Sequence, residues 1–371
     1  MRREVASPRP GIGERDRERG WLSRYAGWFM LLTFASLLAA CARPPEPLVR
    51  QESFVFGTRV EVLVYGETPE RGNAAAAEVL REFDRLHHAY HAWQPSELTA
   101  LNEAIAVGRS HEVSTELAAL IRTAQGIAAQ GDYLFDPGIG RLIALWGFQN
   151  DEFKPVLPDA AKLAAWRAAH PSIGDLTVDG RRVSSRNPAV ALDFGGYLKG
   201  VALDRAAALL KARGVRNALI NIGGNVMALG SKGDKPWRVG IQHPRATTPL
   251  ASLDLRDGEA IGTSGDYQRY FLLDGRRYCH LLDPRSAAPA QGTQAVTVLM
   301  SPGVDAGMRS DALSKPLFVA GAQWREQARK LGVTQALRID DGGALFVTAG
   351  LRERLKMEPG DVGELKVTIV P

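Results

Sequence analysis

Apolar positions recur along the chain with two periods. Phe54–Tyr65 alternates and is rich in valine, which predicts a strand, whereas Asn73–Ala89 and Ser114–Gln130 carry helical spacing. A Pro-flanked, Ala-rich stretch, 155–171, interrupts this pattern. The sharpest unit follows it. Ala189–Leu192 reads as a short strand broken by Gly195-Gly196, Tyr197–Arg213 as a helix closed by Gly214, and Asn217–Ile222 as a further strand. Strands are also predicted at Trp237–Ile241, Ala295–Leu299 and Ala344–Val347. No repeat appears, and no linker rich in Gly, Ser or Pro divides the body, so residues 51–371 read as one mixed α and β domain.

The N-terminal segment follows another logic. The apolar run Trp28–Ala40 is thirteen residues, too short to span a bilayer as a helix. It sits behind a basic stretch and ends in small residues, as export signals do. Leu38-Ala39-Ala40-Cys41 resembles the bacterial lipobox, which makes residues 1–40 a signal peptide, Cys41 a lipidation site and residues 41–50 a Pro-containing tether. The expectation is a membrane-anchored lipoprotein of the bacterial periplasm, and Ala42 after the cysteine leans toward the outer membrane. With Cys41 acylated, Cys279 is left unpaired and no internal disulfide is expected.

Composition narrows the function further. Of 371 residues, 45% are hydrophobic and 23% charged, which excludes a disordered, collagen-like or coiled-coil chain. The formal charge is +5, of which +3 falls before Cys41, so the body carries only +2 and shows no basic run suited to nucleic acid. The body also lacks a Walker-type loop, a Gly-x-Gly-x-x-Gly helix start, His-Glu-x-x-His and Cys-x-x-Cys. Its chemistry must come from Gly-, Asp- and Ser-rich loops at strand ends. Asp193–Gly200 is the first, where two glycines precede a helix and Lys199 in the first turn opposes the dipole, suggesting an anionic ligand. Ile222–Asn225 and Gly262–Tyr267 follow. His280, ahead of Asp283-Pro284, has the residue type of a general base.

Taken in order, these pieces resemble the ApbE family of FAD:protein FMN transferases over nearly the whole body. They are Phe56-Gly57-Thr58; Trp93–Leu98 with Asn102; Phe135–Gly140 with Leu145–Phe148; Asp193–Gly200; Asn221–Gly224; Trp237–Ile241; Thr263–Tyr267; His280–Pro284; and Asp311–Ser314. The resemblance implies an α+β flavin-transferase fold. It also implies an enzyme that takes FAD and a divalent cation such as Mg2+, releases AMP, and attaches FMN to a Ser or Thr of an acceptor flavoprotein in an extracytoplasmic redox complex. Carried over by position, FAD contacts fall at Phe56, Trp93, Leu134, Phe135, Asp136, Asp193, Lys199 and Leu281. His280 is the candidate base, and the metal ligands are Asp311, Ser314 and the carbonyl of Gly196.

This chain departs from the family at the metal. The family pattern has a hydroxyl residue four positions after the Asp, but here Ser314 lies at +3 and Lys315 at +4, followed by Pro316. Two arrangements are open. Asp311 and Ser314 hold the ion while Lys315 points away, or the Lys315 ammonium pairs with Asp311 at i, i+4 and replaces part of the metal's charge. The family's Thr-Gly after the His-x-x-Asp-Pro segment is likewise altered, to Ser286-Ala287. The alternatives to transfer are a lipoprotein that binds FAD without transferring FMN, and an FAD pyrophosphatase in which water replaces the acceptor hydroxyl.

Overall fold

The computed structural model describes residues 47–150, 152–358 and 367–370. The signal peptide and Cys41 lie outside the described residues. The first strand begins at Leu48, inside the segment read as tether.

Among the described residues nine strands build the main sheet, and they are spatially adjacent in chain order: β1 (Leu48–Val55), β2 (Thr58–Tyr65), β3 (Asn217–Ile222), β4 (Asn225–Leu229), β5 (Ala260–Gly265), β6 (Thr293–Met300), β7 (Ala336–Asp340), β8 (Leu345–Thr348) and β9 (Val367–Val370). Neighbours pair antiparallel until the last pair, β8 and β9, which is parallel.

One predicted strand is two. The alternation of Phe54–Tyr65 runs through a tight hairpin in which Phe56 and Gly57 both take positive φ, 57° and 67°. That geometry belongs to a two-residue turn whose twist matches the flanking strands, and Gly57 tolerates it without steric cost. Phe56 is held there by its ring, tilted over Phe83 at 6.2 Å and edge-on to His87 at 5.7 Å.

Both faces of the sheet are covered. On one, Val60, Val62 and Val64 of β2 are fully buried against helices α1 (Pro69–Ala89), α4 (Leu198–Ala212) and α5 (Ala306–Val319), with α2 (Glu97–Ala106) and α3 (Thr115–Gln130) extending that core. Each such side chain contributes about 1.5–3 kcal/mol. The alternate residues, Leu63 and Tyr65, face a second core shared with a three-stranded sheet of Trp237–Gln242, Pro249–Leu255 and Leu355–Met357. The Trp237 segment is therefore a strand as expected, but in this smaller sheet.

The helices follow their caps. Thr68 starts α1 one turn earlier than the apolar spacing implies, because Pro69 and Glu70 suit a first turn without being apolar. Ser114 caps α3 through the Leu117 amide. The Pro-flanked excursion contains a helix, Ala160–Ala169, capped by Asp159. Among the described residues no helix is long and apolar enough to cross a membrane.

The expected strand Ala189–Leu192 is a single bridge, Ile139 to Ala191. Its backbone is engaged elsewhere. Gly140 donates to Ala191 O at 2.7 Å, Asp193 to Pro137 O at 2.8 Å, and the Asn102 amide clamps Leu192, donating to its carbonyl at 2.9 Å and accepting from its N–H at 2.7 Å. A short apolar run beside a Pro-Gly loop therefore carries the Asp193 loop without joining a sheet.

Helices α4 and α5 cross at very close range. A Cβ on Gly200 would stand 2.4 Å from Gly307 O, and one on Gly262 of β5 would stand 2.4 Å from Ser310 O. These are backbone atoms that cannot step aside. Gly262→Ala is expected to lower unfolding stability by about 1–3 kcal/mol or more, read as a shift of the urea midpoint. An unchanged midpoint would show that the contact relaxes freely.

Candidate active site

The crossing of α4 and α5 sets up the site, because each helix caps the other. Neither N-terminus has a local side-chain cap. Asp204 of α4 instead accepts the Gly307 and Met308 amides at 2.8 Å each, and Asp311 of α5 accepts the Gly200 amide at 2.9 Å. Burial pushes the Asp204 carboxyl up to about 7, against the pull of those two amides. The backbone contact permitted by Gly200 thus places the fully buried Asp311 at the start of the helix that carries Lys199.

Around Asp311 stand Gly196, Lys199, His280, Ser314 and Lys315 of the residues singled out in the sequence. Lys315 donates to the Asp311 carboxylate and, at 2.8 Å, to its main-chain carbonyl. Its Cε lies 3.9 Å from where a Gly196 Cβ would be, and the same point is 3.1 Å from the Phe135 ring. Lys199 faces the Asp311 carboxylate together with the cations of Lys315 and Arg269, and burial is the main cause that lowers its pKa. His280 is subject to Arg269, Lys199 and Lys315, so His280, Lys199, Asp311, Lys315 and Gly196 share one neighbourhood.

Burial first, then these three cations, depress His280 to about 3, so its ring is neutral in the empty site. The ring is also oriented. Its Nδ1 lies 3.2 Å from Arg269 O, a carbonyl that can only accept, which puts the proton on Nδ1 and the free lone pair on Nε2. Phe148 sits edge-on to the imidazole at 6.4 Å.

The Asp193 loop joins through the same scaffold. Asp193 accepts the Gly195 amide at 2.9 Å and the Gln149 amide group at 3.1 Å, while the neighbouring Phe148 carbonyl takes Arg269 Nη2 at 2.8 Å. Arg269 reaches the first hairpin too, since its Nη1 lies 3.9 Å from the Gly57 Cβ position. Beyond that hairpin runs a file of rings, Phe56, His87, His91 and Trp93, with successive centroids at 5.7, 4.9 and 4.5 Å. Trp93 is 39% exposed and offers a flat apolar face.

The other expected contacts are anchored within the fold. Asp136 is buried, and its Oδ1 accepts from Gly138 and Ile173, each at 2.8 Å, which ties the Pro137-Gly138 turn to the next loop. Burial raises its carboxyl. Leu134, Phe135 and Leu281 lie in the main core, and Leu281 O accepts the Ala290 amide at 2.8 Å. Cys279 is free and buried, and burial pushes its thiol up to about 12.

Of the expected metal ligands, Asp311 and Gly196 lie in one neighbourhood while the Ser314 side chain is engaged elsewhere. Ser314 is fully buried; its Oγ lies 2.7 Å from Asp311 O, to which it donates, and 2.7 Å from Ser264 Oγ, so it is turned toward β5. One Asp311 oxygen holds the Gly200 amide and the other holds Lys315. Among the described residues no group of three or more His, Cys, Asp or Glu could hold an ion. Mg2+ is usually held by one or two carboxylates together with waters and substrate phosphates, and what opposes it here is the Lys315 ammonium already seated on the Asp311 carboxylate. The helix also continues through Pro316, so the i, i+4 geometry of Asp311 and Lys315 holds.

Sequence reasoning did not single out Arg269 or Gln149, and it named Ser264 only as part of the Gly262–Tyr267 loop. Arg269 lies two residues after the Ser-Gly-Asp-Tyr motif, but nothing in its spacing marks it; its role comes from long-range packing against Phe148 and His280. A cavity of about 850 Å3 bordered by Arg276, Asp283, Arg285, Arg338 and Phe346 shares no residue with the cluster.

Comparison with known proteins identifies relatives of the whole domain. The FAD:protein FMN transferase of Rhodobacter capsulatus is 42% identical over 317 residues, which cover 85% of this chain but 60% of that protein, less than two thirds of its length. The FAD:protein FMN transferase of Vibrio cholerae is 30% identical over 336 residues, covering 88% of this chain and 98% of that one. The crystal structure of the ApbE protein of Thermotoga maritima matches with a TM-score of 0.75 at 30% identity, over 83% of this chain and 99% of that chain. The profile of the ApbE family spans residues 56–337, from the first hairpin through the Asp311 helix to β7, and the chain belongs to that family.

Proposed function

We propose that this protein is an FAD:protein FMN transferase. It takes FAD as substrate, moves FMN to a Ser or Thr hydroxyl of an acceptor flavoprotein, and releases AMP. The observation that carries the reading is the convergence of Lys199, Arg269 and Lys315 on an oriented, neutral His280. Three cations suit a diphosphate, and a lone pair on Nε2 suits an acceptor hydroxyl.

The step balances within this set. The hydroxyl oxygen forms a bond to the phosphorus nearest riboflavin, and its proton passes to His280 Nε2. The bridging P–O bond breaks, and its electron pair leaves on AMP, where the cations stabilise the charge. In this reading the exposed ring of Trp93 and the Phe56 ring would receive a planar group of the nucleotide, supported by the file of rings that joins them. Supported by the lipobox-like Leu38–Cys41, the enzyme works as a lipid-anchored protein on extracytoplasmic acceptors.

Incubation of the protein with FAD and a cognate acceptor flavoprotein is expected to yield AMP in step with flavin that stays on the acceptor after denaturation. AMP formed equally with and without acceptor would make the protein a pyrophosphatase. FAD bound with no AMP and no attached flavin would make it a carrier.

A further inference from the structure

We propose that Lys315 takes the place of a divalent cation in this site, so that the FAD diphosphate is held by the protein's own ammonium groups and binding needs no metal. The inference rests on the flavin reading above and concerns the chemistry of that same site.

The point where an ion would meet Asp311 already holds a positive charge. Lys315 donates to the carboxylate and to Asp311 O, which uses two of its three N–H bonds. Its side chain is 12% exposed and Asp311 is fully enclosed, so the pair is a buried one. A surface i, i+4 pair would contribute a few tenths of a kcal/mol and call for no further account. A buried ammonium is costly to desolvate, and Lys199 lies near enough to interact with both Asp311 and Lys315 while burial disfavours its own charged form, so an incoming anion is what would favour charge on both lysines.

A P1,P2-disubstituted diphosphate brings two negative charges to that place. The α4 N-terminus faces the same point, with its Gly200 amide already on Asp311. For Mg2+ to enter, Lys315 would have to leave Asp311 and remain, still charged, beside a dication. Ser314 would also have to give up both Asp311 O and Ser264. The ammonium is covalently part of α5 and is present at every metal concentration.

The test is FAD binding by the intact protein, followed by flavin fluorescence in EDTA and in millimolar MgCl2. The wild-type Kd is expected to be the same in both. Lys315→Met, which keeps the length and removes the charge, is expected to weaken binding about 10–100-fold in both buffers. Lys315→Thr should bind weakly in EDTA and regain affinity with Mg2+. Thermal melts confirm that each variant is folded, and the wild-type comparison needs no variant. A wild-type affinity that depends on Mg2+, or a folded Lys315→Met that binds normally in EDTA, overturns the proposal. Absence of FAD binding in either buffer overturns the flavin reading and the proposal with it. Metal-independent binding without transfer to an acceptor leaves the proposal standing and removes only the transferase activity.

Discussion

Asp311→Ala is expected to destabilise the protein by about 3–5 kcal/mol, because it strands a buried ammonium whose ion pair among the described residues is with Asp311. Asp311 carries three structural duties. It pairs with Lys315, accepts the Gly200 amide that α4 cannot cap for itself, and fills the crossing between the two helices. The lost cap adds to the cost of the unpaired charge, typically about 1 kcal/mol. The diagnostic measurement is a double-mutant cycle by urea unfolding. In Asp311→Ala with Lys315→Met, the stranded charge is gone, and most of the loss should be recovered even though the ion pair is absent. Additive losses would show that the two side chains are not coupled. Asp311→Asn provides a milder step, since its amide oxygen can still accept from Gly200 while the charge is removed.

The distribution of what was legible follows from the range of the interactions. The helices and strands around Asp193–Ile222 are written locally, in a glycine pair, an apolar period and a closing Gly214, and they appear in the structure within a residue or two. The hairpin at Phe56 was hidden because alternation continues on both sides of a two-residue turn, and only Gly57 marks it. The Ala189–Leu192 segment misled for the opposite reason. Its composition is that of a strand, but its hydrogen bonds go to Asn102 and to the Pro137-Gly138 turn, 90 residues and about 50 residues away in sequence.

The site divides in the same way. Asp193, Lys199, His280 and Asp311 are each set in a recognisable short motif, so their positions could be picked out along the chain. Arg269 could not, because its importance depends on meeting Phe148 and His280 from distant loops. Lys315 was visible as a departure from the family pattern. Whether it pointed toward Asp311 or away depended on Pro316 leaving the helix intact, a matter of tertiary packing that outweighs local propensity.

His280→Ala is expected to lower the rate of FMN transfer by about 10^2–10^4 while FAD affinity changes only a few-fold. Among the described residues the hydrogen bond given for the ring is that of its Nδ1 to Arg269 O, and the main-chain N–H of residue 280 keeps its 3.0 Å bond to that same carbonyl in the variant. A base depressed to about 3 is a poor proton acceptor, so the empty site is not the reactive one. A diphosphate set among Lys199, Arg269 and Lys315 cancels the part of that depression owed to the cations, while burial, its larger cause, remains. The acid limb of kcat is therefore expected above about 3 and below the ordinary imidazole value of about 6.5. Stability gives an independent check with a definite sign. The unfolded chain protonates this histidine below about 6.5 while the folded chain resists protonation down to about 3, so the wild type loses stability as pH falls through that window. His280→Asn should flatten that loss in thermal melts of the free protein, and inorganic pyrophosphate should reduce it in the wild type. A transfer rate within about tenfold of wild type in His280→Ala would remove the residue from the chemistry.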